Sequence, residues 1–340
     1  MRLGFWPAVY GNWISSNREG EFDASFAHAK AAALTAEAAG FDTLLVAEHF
    51  SNPLGPHLDQ LDAWTTAAAL AAVTSRIEII AAVKPGPRPP GVIAKMAANI
   101  DHISNGRFAL NLIAAWWLRE FEMLGLPVLD HEDRYARMDE FISVITGLWS
   151  ENNFSYRGKY YEAKDASIVP KPLQQPHPPI YVGGDSPAGR AFAARHADVF
   201  LMNGRSVDEA FETVKAVSKL AKDIGRKPPR FGIVGFVVCR DTPDQAAEEA
   251  QRLAVLKTTL RIEGDSTMSR QSAAKPDADL AKQLGTNFGW ACGLSGPPQL
   301  IADRMRAYED AGIDTFLLQF HPLVAELQRF GDSVMPLLRP

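Results

Sequence analysis

The residues most able to do chemistry in this 340-residue chain stand where short apolar runs end. Asn111 interrupts the run from Phe108 to Ala114, where a buried amide must find hydrogen-bond partners. Glu48 and His49 follow the run Thr43 to Ala47, Glu120 lies just past the pair Trp116 and Trp117, and His321 follows Thr315 to Phe320. Gly183-Gly184-Asp185-Ser186-Pro187 ends one run and opens a helical pattern, offering an anion free N–H groups, a positive helix end and a hydroxyl. Arg134 and Tyr135 also open a helix, where an arginine is disfavoured unless an anion compensates. Each has a plainer reading. Asn111 is then a satisfied core amide, Glu120 a solvated helix residue, His49 and His321 structural, the tryptophans core, and Ser186-Pro187 an ordinary helix cap.

Other chemistries lack their signatures. The eight histidines show no His-x-x-x-His or His-x-His spacing, so no metal site is predicted, and no Gly-x-Ser-x-Gly elbow occurs. Aromatic walls without a metal, a nucleophile or an acid–base pair point to a bound organic cofactor that carries the reaction.

The elements that must position these residues alternate between strand and helix. Strands are predicted at Leu3 to Val9, Thr43 to Ala47, Ile77 to Val83, Phe108 to Ala114, Ile180 to Val182, Val199 to Met202, Phe231 to Val238 and Thr315 to Phe320. Between them lie helices such as Phe26 to Ala39, ended by Gly40, and His131 to Trp149, with an apolar face from Tyr135 to Trp149 and its charges opposite. In the helix Ser206 to Ile224, the expected buried side carries Val207, Phe211, Val214, Val217 and Leu220. Ala39-Gly40-Phe41-Asp42-Thr43 is echoed by Ala311-Gly312-Ile313-Asp314-Thr315, so two distant units share one helix stop and strand start. About eight alternations predict an α/β fold of the (β/α)8 TIM-barrel type spanning 1–340 as one domain. An open doubly wound sheet would want a Gly-x-Gly-x-x-Gly loop at the first βα turn, which is missing. Two stretches stand outside the repeat: an aromatic hairpin-like insertion near 152–174 and a polar segment near 257–295, read as a lid with Arg261 and Arg270. Since barrel active sites form at the carboxyl ends of the strands, Trp6, Glu48, His49, Asn111, Trp116, Ser186 and His321 are expected to share one mouth.

Composition narrows the partners. Hydrophobic content of 46%, charged content of 22% and a net charge of -5 fit a soluble globular protein without a basic field for nucleic acid. Two cysteines build neither a disulfide framework nor a four-ligand zinc site, which favours a reducing compartment. The opening MRLGFWPAVYGNW reads as neither a secretion signal nor a membrane span, so a cytoplasmic location is expected.

The stretches NGRFALNLIAAWWLREFEMLG, HEDRYARMDEFI, FSYRGKYYEAKDASIVPKPLQQPHPPIYVGGDS and RFGDSVMPLLR resemble the bacterial luciferase-like family of flavin-dependent monooxygenases, and the likeness covers nearly the whole chain. Within that family the chain is similar to two-component dimethyl sulfone and alkanesulfonate monooxygenases, and more distantly to the pyrimidine-opening oxygenase. The resemblance implies reduced FMN as co-substrate. Asn111 would hold the flavin ring edge, Glu120 would help position the cofactor, and Glu48 and His49 would line the ring pocket. Arg134, Tyr135 and Ser186, with Gly184 and Asp185 beside them, would lie near the ribityl phosphate.

Trp6, Trp116, Phe236 and His321 are expected at the substrate. Alkanesulfonate monooxygenases carry a histidine and a cysteine where this chain has Phe236 and Gln60, whereas VFLMNG and GFVVCRDT resemble the dimethyl sulfone type. The implied reaction is oxidation of a small organosulfur compound by dioxygen with C–S cleavage. A separate NAD(P)H-dependent flavin reductase would feed it, in a homodimer or homotetramer. Two rivals stand beside it: a deazaflavin-dependent oxidoreductase of the same fold, and a non-catalytic flavin-binding protein.

Overall fold

Two helix stops show how the sequence sets the repeat. Helix Phe26–Ala39 starts on Ser25, whose hydroxyl accepts from His28 N, and stops at Gly40 in the left-handed conformation, φ 91°. Phe41 N then donates to Ala36 O and Asp42 N to Leu3 O, which launches the next strand beside the first. The echo repeats this bond for bond: Gly312 has φ 94°, Ile313 N donates to Tyr308 O, and Asp314 N donates to Phe231 O.

The computed structural model describes residues 1–7, 9–11, 14, 23–259 and 284–339. Its strands, in chain order, are β1 (Arg2–Phe5), β2 (Thr43–Val46), β3 (Glu78–Val83), β4 (Phe108–Leu112), β5 (Phe154–Arg157), β6 (Glu162–Ala166), β7 (Ile180–Gly183), β8 (Val199–Met202), β9 (Arg230–Cys239), β10 (Leu294–Gly296) and β11 (Thr315–Gln319). Eight of them pair in parallel in the order β9, β11, β1, β2, β3, β4, β7, β8, and β8 pairs back with β9 to close the barrel. The chain is thus a (β/α)8 barrel. β10 extends the carboxyl end of β9, and β5 with β6 forms the antiparallel hairpin expected in the 152–174 insertion.

Side chains alternate along each strand. On β3, Ile79, Ala81 and Val83 join the outer core, whereas Ile80 packs inside with Leu45, Ala109, Tyr181, Leu201, Val234 and Leu317. Gly4 supplies no side chain to this interior for a packing reason. A Cβ there would stand 2.5 Å from the Thr43 methyl and 2.7 Å from Leu317.

The amino-terminal end of the barrel is braced by charge. Tyr181 Oη and Arg2 both donate to Glu78 Oε1, and Arg339 pairs with Asp42. Arg2, Asp42, Glu78 and Arg339 line an open recess of about 490 Å³ with Arg76 and Arg107, and Arg107 donates to the carbonyls of Ala71, Thr74, Ile77 and Ser104. Such pairing at this end serves stability.

Two expectations are corrected. β1 ends at Phe5 rather than Val9, because Pro7 has no N–H for the ladder and Val9 N turns back to Pro7 O. In helix Val207–Asp223 the buried side is Ala210, Thr213, Val217 and Ala221, while Phe211 and Leu220 are exposed. Small residues let this helix approach its neighbours closely: Val214 lies 3.1 Å from where a Cβ on Gly312 would stand.

Of the segment 257–295, residues 260–283, including Arg261 and Arg270, lie outside the described residues. The remainder contains the tight turn Gly289–Cys292 and β10. Among the described residues, no helix is long and apolar enough to cross a membrane.

Candidate active site

Asn111 lies two residues beyond Ala109 on β4 and therefore faces inward, in register with Ala82 on one side and Tyr181 on the other. It is buried, and its Oδ1 has no hydrogen-bond partner. The satisfied core amide of the plainer reading is not what the barrel contains.

Beside it stands a charged cluster. Lys84 follows Ile80 and Ala82 in the inward alternation, and its ammonium forms an ion pair with Glu120 on the short helix Arg119–Met123. Glu120 Oε2 also accepts from Phe50 N at 3.0 Å and stands 3.8 Å from His49 Nδ1. Glu120 is therefore buried rather than solvated, with both oxygens engaged by the protein. Burial alone would raise its pKa, but His49 and Lys84 outweigh that and hold the carboxyl below its ordinary value.

Glu48 shows the opposite balance. Its Oε2 accepts from Lys84 N at 3.0 Å and its Oε1 faces Arg88 Nε at 3.2 Å, yet burial prevails and the carboxyl is raised. Burial likewise pushes His49 down, against the pull of Glu120, which favours the neutral imidazole. The ring of His49 sits among Tyr10, Trp116 and Trp117, with centroids 5.8, 5.5 and 6.0 Å away. Trp116 is 42% exposed at the rim.

The second cluster lies where helices His131–Ser150 and Pro187–His196 begin. Tyr135 Oη is 3.2 Å from Ser186 Oγ, and Ser186 Oγ accepts from Gly189 N at 3.1 Å as the helix cap. Gly184 has φ 139°, and a Cβ on it would approach Tyr135 Oη to 3.1 Å. Gly189 is tighter, since a Cβ there would come within 2.6 Å of Gly184 O and 2.8 Å of Tyr135 Oη. Arg134 donates to Ala115 O at 3.1 Å, while its Nε is buried without a partner. Asp185 turns to Arg205 at 2.5 Å and accepts from Asn203 N, so its charge is compensated beside the seat rather than within it.

A family model for luciferase-like monooxygenases matches residues 2–315. The chain belongs to the luciferase-like monooxygenase family. It is accordingly an oxidoreductase of the flavin-dependent monooxygenase type. The FMNH2-dependent dimethylsulfone monooxygenase of Pseudomonas putida is 33% identical to it, over 100% of this chain and 95% of the relative. Two solved structures share the fold. EDTA monooxygenase (EmoA) from Chelativorans sp. BNC1 has TM-score 0.83 at 20% identity, covering 100% of this chain and 93% of that one. DmoA from Hyphomicrobium sulfonivorans has TM-score 0.78 at 21% identity, covering 100% and 88%.

The residues of this luciferase-like monooxygenase fit a bound FMN. A flavin needs aromatic walls, polar contacts at the ring and donors at a phosphate. Tyr10, Trp116 and Trp117 supply the walls around His49, and Asn111 Oδ1 and Trp6 Nε1 are buried polar atoms without partners. The cradle at Gly184 and Gly189, which a Cβ would fill, adds a capped helix end with Tyr135 and Ser186.

The expected substrate residues are spread more widely. Trp6 packs on the barrel interior and Trp116 on the rim, while His321 is buried past the end of β11. Phe236 is fully buried, with Gly285, Gly289 and Trp290 packed against it.

Sequence reasoning missed Lys84, Arg88 and Arg137. Lys84 was legible as the next inward position after Ile80 and Ala82, but the prolines that follow it mark the stretch as loop. Arg137, expected with the exposed charges of its helix, is buried over the Phe121 ring. No residue pattern marked it, since Phe121 sits on the separate short helix Arg119–Met123, and periodicity within one helix does not show which ring a neighbouring helix brings to it.

Proposed function

We propose that this enzyme is the oxygenase component of a two-component system, receiving reduced FMN from a separate NAD(P)H-dependent reductase and oxidising a small neutral organosulfur compound such as dimethyl sulfone. The observation that carries this is the full-length similarity to the dimethylsulfone monooxygenase of Pseudomonas putida. The charge pattern at the mouth supports a neutral substrate. Lys84, Arg88 and Arg205, the cations on the loops after β3 and β8, are paired with Glu120, Glu48 and Asp185.

Asn111 would hold the flavin ring edge. Tyr135, Ser186 and Arg134 would serve the phosphate, and Glu48 and His49 would line the ring pocket. Glu120 would act through Lys84 and His49 rather than by touching the flavin, since both of its oxygens are engaged. Trp6, Trp116 and His321 would border the substrate, with Phe236 setting the shape of the floor behind them.

When bound, reduced FMN supplies the two electrons that let one atom of dioxygen enter the substrate while the other leaves as water. Oxygen inserted into a C–H bond beside a sulfone gives an α-hydroxy sulfone, which splits into an aldehyde and a sulfinate. For dimethyl sulfone the balance is one sulfone, one dioxygen and two reducing equivalents in, and formaldehyde, methanesulfinate and water out. The aromatic walls would keep bulk water from this chamber, and His49, which burial holds toward its neutral form, would be available there to accept a proton. The enzyme is expected to assemble as a dimer or a dimer of dimers, which light scattering would show.

The test mixes the protein with photoreduced FMN and oxygenated buffer, and assays formaldehyde and sulfinate from dimethyl sulfone and sulfite from short alkanesulfonates. Formaldehyde and sulfinate from the sulfone are expected. Sulfite from the sulfonates alone would reassign the substrate, and oxygen consumption without any product would sink the proposal.

A further inference from the structure

The barrel strands carry their inward residues in layers. Ala109, Leu201 and Leu317 lie in the packed interior, and Gly4 stands beside Leu317 without a side chain. Two residues further along, the same four strands present Asn111, Asn203, Gln319 and Trp6 toward the carboxyl end of the barrel. The other four strands place two alanines, a glycine and a phenylalanine at the equivalent positions, none of which can hydrogen-bond through its side chain. The polar chemistry of this layer therefore rests with three amides and one indole.

Two of the amides are engaged by the protein. Gln319 is buried, its Oε1 accepts from Thr286 N at 2.8 Å, and its Nε2 donates to Thr286 Oγ1 at 2.7 Å. Asn203 Oδ1 accepts from Asn287 Nδ2 at 3.0 Å. That leaves two buried atoms of the layer without a partner, Asn111 Oδ1 and Trp6 Nε1. One accepts and the other donates. An N–H kept from water and left unbonded is costly, and a ligand oxygen placed on it removes that cost. The indole packs on the interior cluster, so its N–H is a fixed donor.

Position separates the two atoms. Asn111 is on β4, which pairs directly with β7, the strand that leads to Gly184 and Ser186. Trp6 follows β1, four strands from β7 in a closed ring of eight, and so lies across the lumen from the proposed phosphate seat. Asn111 thus stands on the cofactor's side and Trp6 on the side left for the molecule that is oxidised. We propose that the Trp6 indole N–H donates to a sulfonyl oxygen of the substrate and makes the enzyme prefer sulfones to sulfides. A sulfone offers polarised oxygens without a net charge, which suits a neutral donor, whereas a sulfide offers no oxygen. The inference rests on the organosulfur substrate proposed above.

The test measures dissociation constants of dimethyl sulfone and dimethyl sulfide for the full-length protein saturated with reduced FMN, by anaerobic titration calorimetry, in wild type and Trp6→Phe. The sulfone should bind about fivefold to tenfold more weakly to the variant, and the sulfide by less than about twofold. In turnover, KM for the sulfone should rise by the same factor while kcat holds, because the bond is made equally before and during oxidation. Equal losses for the two ligands would overturn the proposal, since the indole would then act by bulk alone. Unchanged sulfone affinity, or a matching loss of FMN affinity, would also overturn it. Should wild type neither bind nor oxidise any sulfone, the substrate reading itself fails, and this inference with it. Should Trp6→Phe fail to fold, as circular dichroism would show, magnetic resonance of wild type labelled at its indole nitrogens decides the matter. The Trp6 N–H signal is expected to move with the sulfone and not with the sulfide, and a signal that ignores the sulfone or follows both ligands equally overturns the proposal.

Discussion

Lys84 and Glu120 form an ion pair in the barrel mouth, their side chains 2% and 1% exposed, although 36 positions separate them in the chain. Lys84 arrives at the end of β3 and Glu120 on the helix after β4, so the pair ties two βα loops beside Asn111. A buried pair of this kind is weak evidence for net stability, but removing one partner leaves the other charged and desolvated.

Glu120→Gln is therefore expected to destabilise the protein by about 3–5 kcal/mol. The double variant Lys84→Met/Glu120→Gln should lose less than the sum of the two single changes, with a coupling of about 0.5–3 kcal/mol. Urea denaturation of the four proteins measures this, and strict additivity would show that the pair does not act as one unit.

The same carboxylate predicts a pH dependence. Because Glu120 is held below its ordinary value of 4.5, its contribution to stability is complete above about pH 4.5 and is lost as pH falls through the lower folded-state value. The stability gap between wild type and Glu120→Gln should be constant from pH 7 to pH 5 and shrink below that. A gap that widened on acidification would reverse the sign of the shift.

Asn111→Leu separates cofactor binding from folding. The amide oxygen is buried without a partner, so its removal should leave the free protein as stable or slightly more so. Affinity for reduced FMN should fall about tenfold, equivalent to one good hydrogen bond of roughly 1–1.5 kcal/mol. Melting temperature and an anaerobic flavin titration report the two effects, and equal affinity in the variant would remove Asn111 from the flavin site.

At the proposed phosphate seat, Gly189→Ala pushes a methyl toward Gly184 O and Tyr135 Oη. Overpacking of this kind costs about 1–3 kcal/mol of stability. FMN affinity should drop while riboflavin, which has no phosphate, binds as before. Comparable losses for both ligands would place the phosphate elsewhere.

Much of this protein was legible in its sequence because the signals are local. The alternation of apolar runs and helical patterns predicted a barrel, and Gly40 and Gly312 marked helix stops that the backbone realises with the same hydrogen bonds. Ser186-Pro187 read as a helix start, and Asn111 stood out because an amide within an apolar run is costly anywhere. The family was legible too, in stretches such as NGRFALNLIAAWWLREFEMLG.

Tertiary structure decided the rest. The pairing of Lys84 with Glu120, the burial of Arg137 over Phe121, the burial of Phe236 against Gly285 and Gly289 and the inner face of helix Val207–Asp223 all depend on which elements become neighbours when the barrel closes. Periodicity of two or 3.6 residues says which side of an element is apolar, and nothing about what a distant loop brings to it. A charge that reads as solvated along the chain becomes a buried partner, or a buried orphan, only once eight strands have chosen their neighbours.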